Sequence, residues 1–252
     1  MPHPLFFIHG WASTGAIWPD SLRQKHSQCY DAPNFPDFNC LSAAFLTFTE
    51  YHKQPITVIG WSLGGLLALQ LAAAYPNRIY KIILVSSTAR FTNEPGYTAG
   101  LSPAIVKRLA KQLNQDPRAT QRNFYTLMFS SSEQDRIIPF LQNIAPRMAS
   151  LHPHSLSKGL NFLLEADYRS ILPKLQTPCA IIHGTADTIC PVDAAHIWRK
   201  ISLTPAYTCS PVQGIFRFIL SLIPFLLCSR SVISNDLQKT SRPPIWKNVL
   251  LL

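Results

Sequence analysis

The chain has 252 residues, 47% of them apolar and 14% charged, a composition that excludes a disordered chain and suits one domain or two small ones. Lys and Arg number 23 against 13 Asp and Glu, a net charge of +10. The six cysteines include no C-x-x-C pair, which excludes zinc-knuckle and dithiol redox sites, and they are too sparse for a disulfide scaffold.

Those cysteines therefore read as free thiols in a reducing compartment. Met1-Pro-His-Pro opens no basic n-region, and Leu5-Phe-Phe-Ile is too short for a signal h-region, so the expected location is cytoplasmic. Leu5–Ile8 reads instead as a buried strand running into His9-Gly10. Pro55–Ile59 is a second strand, stopping at Gly60. Leu63–Ala74, rich in Leu and Ala and free of Pro, reads as a buried helix ended by Pro76-Asn77. Tyr80–Val85 and Pro178–His183 are the third and fourth strands. Strands alternating with helices predict an α/β fold, a mostly parallel sheet with helices on both faces.

Residues 90–169 break that rhythm. Helical stretches at Pro103–Leu113, Pro117–Phe129, Ile137–Ala149 and Ser155–Ala166 follow one another with no strong strand between them. They read as a helical lid inserted into the core of 1–89 and 170–210. The insertion carries 10 basic and 6 acidic side chains, with Lys107, Arg108, Lys111, Arg118 and Arg122 set against Asp116 alone. Such a run is either a solvated helix face or a docking surface for an acidic partner. No base-stacking motif accompanies it, so nucleic acid is not the expected partner.

Gly60-Trp61-Ser62-Leu63-Gly64-Gly65 matches G-x-S-x-G between a predicted strand and a predicted helix, the context that motif requires. The chain must turn sharply there, leaving Ser62 at the tip as a nucleophile, with helix N–H groups aimed at developing negative charge. The expected oxyanion donors are the backbone N–H of Leu63 and, from the loop after the first strand, that of Trp11. His9 reads as a loop-ordering residue. Asp187, on the loop after the fourth strand, is the expected acid. Asp193, beyond Pro191, reads as an early-helix acid.

HGW, GWSLGG and HGTAD, in that order, resemble the α/β-hydrolase superfamily. The insertion, with Phe124-Tyr125-Thr126-Leu127-Met128 in its middle and Ala166-Asp-Tyr-Arg-Ser-Ile-Leu-Pro-Lys-Leu175 leading to the acid strand, resembles the pimeloyl-[acyl-carrier protein] methyl ester esterases of biotin synthesis. The resemblance covers about residues 5–208. It implies a serine carboxylesterase acting on the methyl ester of an acyl chain held by acyl-carrier protein. Trp11 and Phe124, Tyr125, Thr126, Leu127 and Met128 would bind substrate, and Arg118, Arg122 and Arg136 would contact the acidic carrier protein. The expected enzyme is a monomer and uses no cofactor and no metal. Other readings are a general short-chain carboxylesterase and a crippled hydrolase that only binds acyl ligand or carrier protein.

The second of these draws on a break in the pattern. The superfamily needs a histidine some tens of residues after the acid, yet the last histidine is His196, within a predicted helix. His152 and His154 belong to the insertion. Ile215–Cys228 is an apolar run interrupted by Arg217 and Pro224, too short for a bilayer span of ~20 residues, so no stable membrane insertion is expected. Back-translating Pro211–Phe218 and reading from the third base of the proline codon permits Gly-Ala-Gly-His-Phe-Pro-Phe, the missing superfamily loop. The tail, 211–252, is therefore read as out of frame.

Overall fold

The computed structural model describes residues 3–23, 26–32, 35–148, 151–201 and 205–210. Six parallel strands form one sheet: β1 (Leu5–Ile8), β2 (Ser27–Tyr30), β3 (Ile56–Trp61), β4 (Ile79–Val85), β5 (Cys179–Gly184) and β6 (Pro205–Ser210), in the order β2-β1-β3-β4-β5-β6. β3 is buried along its whole length, consistent with its unbroken apolar reading. The chain leaves β1 towards β2 on one side and returns to pair β3 on the other, with Ile8 opposite Gly60. The loops after β1 and β3 are thus neighbours at the point where strand order reverses, the usual ligand crevice of an open α/β sheet.

Three helices flank the sheet: α1 (Phe38–His52), α2 (Leu63–Ala74) and α7 (Val192–Ile201). α1 starts where the Asp37 carboxylate accepts from the Cys40 N–H at 3.0 Å, and it buries Leu41, Phe45 and Phe48 along one face. α2 is apolar nearly all round and is enclosed accordingly.

Among the described residues between β4 and β5 lie four helices and no strand of the sheet: α3 (Pro103–Gln115), α4 (Pro117–Leu127), α5 (Ile137–Asn143) and α6 (Pro153–Glu165). α3, α4 and α6 each begin with proline at the first helical position, behind Ser102, Asp116 and His152 as caps. The helix expected over Ile137–Ala149 stops at Asn143 and continues as a 3-10 turn over Ala145–Met148, because Pro146 can neither donate nor fit in a helix interior. The insertion leaves and rejoins the core at one neck. There Arg90 and Asp167 pair as an antiparallel bridge, Tyr168 N–H donates to Ala89 at 2.7 Å, and Arg90 holds Asp167 at 2.8 Å. Arg169 adds contacts to both Asp167 and Glu94, and these cations hold the Asp167 carboxyl down at about 2.

Among the described residues no helix is long and apolar enough to cross a membrane, and no cluster of His, Cys, Asp and Glu could hold a metal. Cys29, Cys40, Cys179 and Cys190 are free thiols. The tail expected to be out of frame lies outside the described residues.

Candidate active site

Ser62 stands between β3 and α2 with φ +52° and ψ −117°, a backbone that L-residues adopt only under constraint. The constraint is visible. Its N–H donates to Val85 at 2.9 Å, and its carbonyl accepts from the Gly65 N–H at 2.9 Å and the Ser87 hydroxyl at 2.7 Å. The glycines permit the crossing. A Cβ on Gly60 would lie 2.5 Å from the Gly64 carbonyl oxygen, and one on Gly64 would collide with the backbone of Ile8 and His9. The first N–H groups of α2, including that of fully buried Leu63, open at this corner and have no partners within the helix.

Across the strand reversal, the loop 10–13 is held from two sides. The buried His9 ring lies on Phe35 at 4.1 Å and bonds the Gly10 carbonyl through Nδ1 at 2.8 Å. A carbonyl only accepts, so Nδ1 carries the proton. Burial lowers the His9 pKa, which keeps the ring neutral and its second nitrogen, 3.6 Å from Asp31, bare. Gly10 carbonyl and Trp11 N–H belong to one peptide plane, so His9 also fixes the direction of that N–H. From the other side, the Trp11 indole N–H donates to the Leu156 carbonyl of α6 at 2.8 Å, edge-on to Phe124 at 4.6 Å.

Asp187 lies on the turn after β5. One carboxylate oxygen accepts from the Ile189 and Cys190 N–H groups at 2.9 and 2.8 Å. The other makes no hydrogen bond within ordinary distance among the described residues; it stands 3.8 Å from His183 Nε2 and faces the Ser86 hydroxyl at the end of β4. Burial outweighs these donors and raises the Asp187 pKa to about 7. Cys190 lies between Asp187 and Ser62. Its thiol lies against the Ser62 hydroxyl and beside the Asp187 carboxylate, and burial pushes its pKa well up. No sequence signal marked Cys190, since a C-P dipeptide carries no chemistry of its own. His183 is fully buried, with Nε2 donating to the Cys190 carbonyl at 2.7 Å, which commits its proton to holding that loop.

Ser62, Leu63, Trp11 and Asp187 thus share the carboxyl end of the sheet. The expected substrate residues do not share one face. Phe124, Tyr125 and Met128 are buried, Leu127 is 57% exposed, and the Thr126 hydroxyl turns back to the Asn123 carbonyl at 2.7 Å. Five consecutive helical positions cannot point one way. A cavity of about 360 Å³ borders the loop after β1, walled by Trp11, Phe35, Leu151 and Leu156 and edged by Asp31 and His152. Of the expected substrate residues only Trp11 lines it. Arg118 and Arg122 are exposed one turn apart on α4, while Arg136 is half-buried before α5. His196 is half exposed on α7, 3.5 Å from Asp193, and His152 caps α6 by accepting from the His154 N–H at 3.2 Å.

A family model for the alpha/beta hydrolases matches residues 5–209. The chain belongs to the alpha/beta hydrolase family. Among curated relatives, a pimeloyl-[acyl-carrier protein] methyl ester esterase of Aliivibrio salmonicida is 31% identical over 206 residues, covering 76% of this chain and 77% of the relative. An enzyme of the same name from Nitrosomonas europaea is 31% identical over 213 residues, covering 80% and 84%. Among solved structures, an esterase from Exiguobacterium antarcticum superposes with a TM-score of 0.76 at 19% identity over 90% of this chain and 92% of that one, a likeness of fold. This alpha/beta hydrolase therefore falls among the carboxylic ester hydrolases.

Proposed function

We infer that this alpha/beta hydrolase is a serine carboxylesterase whose substrate is the methyl ester of an acyl chain carried on acyl-carrier protein. The strained Ser62 corner, sharing one sheet end with Asp187, carries this reading. Ser62 Oγ attacks the ester carbonyl and passes its proton to a histidine. The N–H groups of Leu63 and Trp11 hold the oxyanion, and its collapse expels methanol, which takes that proton. Water, deprotonated by the same histidine, then releases the acid and restores Ser62. Asp187 orients the histidine and stabilises its charge; the unpartnered oxygen of Asp187 supports this role. The names of the relatives support the substrate, and Arg118 and Arg122, which make no ion pair among the described residues, suit an acidic carrier protein, as does Arg136 before α5.

That histidine would come from the shifted frame after residue 210, a reading supported by the family match ending at 209. The second reading, a hydrolase core that binds acyl ligand or carrier protein without turning it over, is favoured by the absence of any histidine after His196. Turnover of a short-chain p-nitrophenyl ester separates the two. It is measured for the chain as written and for the frame-restored chain, each against Ser62→Ala. Ser62-dependent turnover in the restored chain alone supports the esterase with a shifted tail. Turnover in neither favours the binding protein. Turnover of free esters with no gain on a carrier-bound ester would reduce the reading to a general carboxylesterase.

A further inference from the structure

We propose that the helical insertion sets the oxyanion donor: the Tyr125 hydroxyl, backed by Gln121, is a positioning group that locks the Trp11–Ser13 loop into its working shape. The proposal rests on the esterase reading for what the loop does, and on geometry alone for what holds it. Tyr125, one of the residues expected to meet substrate, has its hydroxyl committed elsewhere. It donates to the Ala12 carbonyl at 2.8 Å, and the Gln121 amide donates to the Tyr125 oxygen at 2.7 Å. All three residues are buried. A chain of donors in a dry interior strengthens each of its members.

The loop needs the grip. Ala12 sits at φ +54°, in the left-handed region where a Cβ is crowded, so the loop alone would relax towards commoner backbone shapes. Its other handles also belong to the insertion. The Trp11 indole bonds Leu156, and it can lie on α6 only because residue 159 is glycine, where a Cβ would stand 2.5 Å from the ring. The Ser13 hydroxyl donates to the Met148 sulfur at 3.2 Å. The core side supplies the His9 bond to Gly10. Contacts from α4, from α6 and from the turn between them therefore converge on three residues that carry, or adjoin, the Trp11 N–H. When the insertion moves aside, the donor loses its aim, and a closed insertion couples enclosure of the ester to assembly of the hole.

Amide hydrogen exchange on the full chain tests this without requiring turnover. Tyr125→Phe keeps the ring, which packs edge-on to Phe140 at 5.4 Å, and removes only the hydroxyl that links Gln121 to Ala12. The expected result is about five- to tenfold faster exchange at Trp11, Ala12 and Ser13, the size of one lost buried hydrogen bond, with α1 unchanged. Gln121→Ala should give a smaller rise, and Asn123→Ala, on the outer face of α4, none. The Ala12 carbonyl carbon should shift upfield in the Tyr125→Phe spectrum and stay put in Asn123→Ala. Unchanged exchange at residues 11–13 overturns the proposal, and so does an equal rise in α1, which would mean general loosening. In the frame-restored chain Tyr125→Phe should lower kcat several-fold at constant KM. Absence of Ser62-dependent turnover there would count against the esterase reading and leave the exchange result to decide the positioning role.

Discussion

The Ser62 corner and the Asp187 turn end strands of the same sheet and are built to different degrees of completion. At the corner the N–H and the carbonyl of Ser62 are both engaged, and glycines sit where a Cβ would strike backbone. At the Asp187 turn one carboxylate oxygen is fully held and the other, equally buried, makes no hydrogen bond within ordinary distance among the described residues. The Ser62 corner is thus closed by groups already in place, from Gly65 beside it to Val85 and Ser87 on the next strand and its loop. At Asp187 burial outweighs the donors in place, the Ile189 and Cys190 N–H groups and the Ser86 hydroxyl.

The Ser62 corner is most vulnerable at Gly64. Gly64→Ala drives a Cβ into the backbone of Ile8 and His9, neither of which can move without shifting β1. A loss of more than about 4 kcal/mol in denaturant unfolding is expected, and a loss below 1 would mean the corner is softer than described. Next comes the missing partner of Asp187. Restoring the shifted frame should raise Ser62-dependent ester hydrolysis by about 10⁶-fold, the usual worth of a triad histidine over the residual rate that binding and oxyanion donors give.

Asp187 itself should leave a pH signature. Its folded pKa, about 7, lies above the unfolded value of 3.8, so the folded state holds the proton more tightly. Its share of stability is full below pH 3.8 and is lost as pH rises to about 7, on the order of 4 kcal/mol in all. Asp187→Asn should flatten the unfolding free energy between pH 4 and 7. A profile in the variant as steep as in the parent would place the carboxylate in a wetter setting. Smallest is the effect at the insertion surface. Arg118→Glu with Arg122→Glu should weaken acyl-carrier protein binding about tenfold at low salt and less at 0.15 M, read by titration calorimetry. Equal affinities at low salt would make that surface a solvated face.

What the sequence made legible follows the same division. The span Leu63–Ala74 and the Ser62 turn are readable because glycine spacing and an unbroken apolar run express local sterics. β2 and β6 are not. Ser27-Gln-Cys-Tyr and Pro205-Ala-Tyr-Thr-Cys-Ser have no apolar run to announce them, and they owe their strand form to pairing with β1 and β5. Asp187 could be picked out from its place after a strand, but not its raised pKa, which needs the burial that only the assembled fold supplies. The engagement of Tyr125 with Ala12 joins residues 113 positions apart, and no periodicity carries such a pairing.

The neck at Arg90 and Asp167 gives the insertion the character of a cassette. Roughly eighty residues leave the sheet and return through one bridged crossing beside the paired strands β4 and β5. A foreign cap grafted at that crossing would inherit exit and entry points already tied by a hydrogen bond, and would need to bring only the few contacts that reach down to residues 11–13. Substrate range in such a scaffold can change by exchange of one contiguous stretch of gene, with the nucleophile corner left untouched.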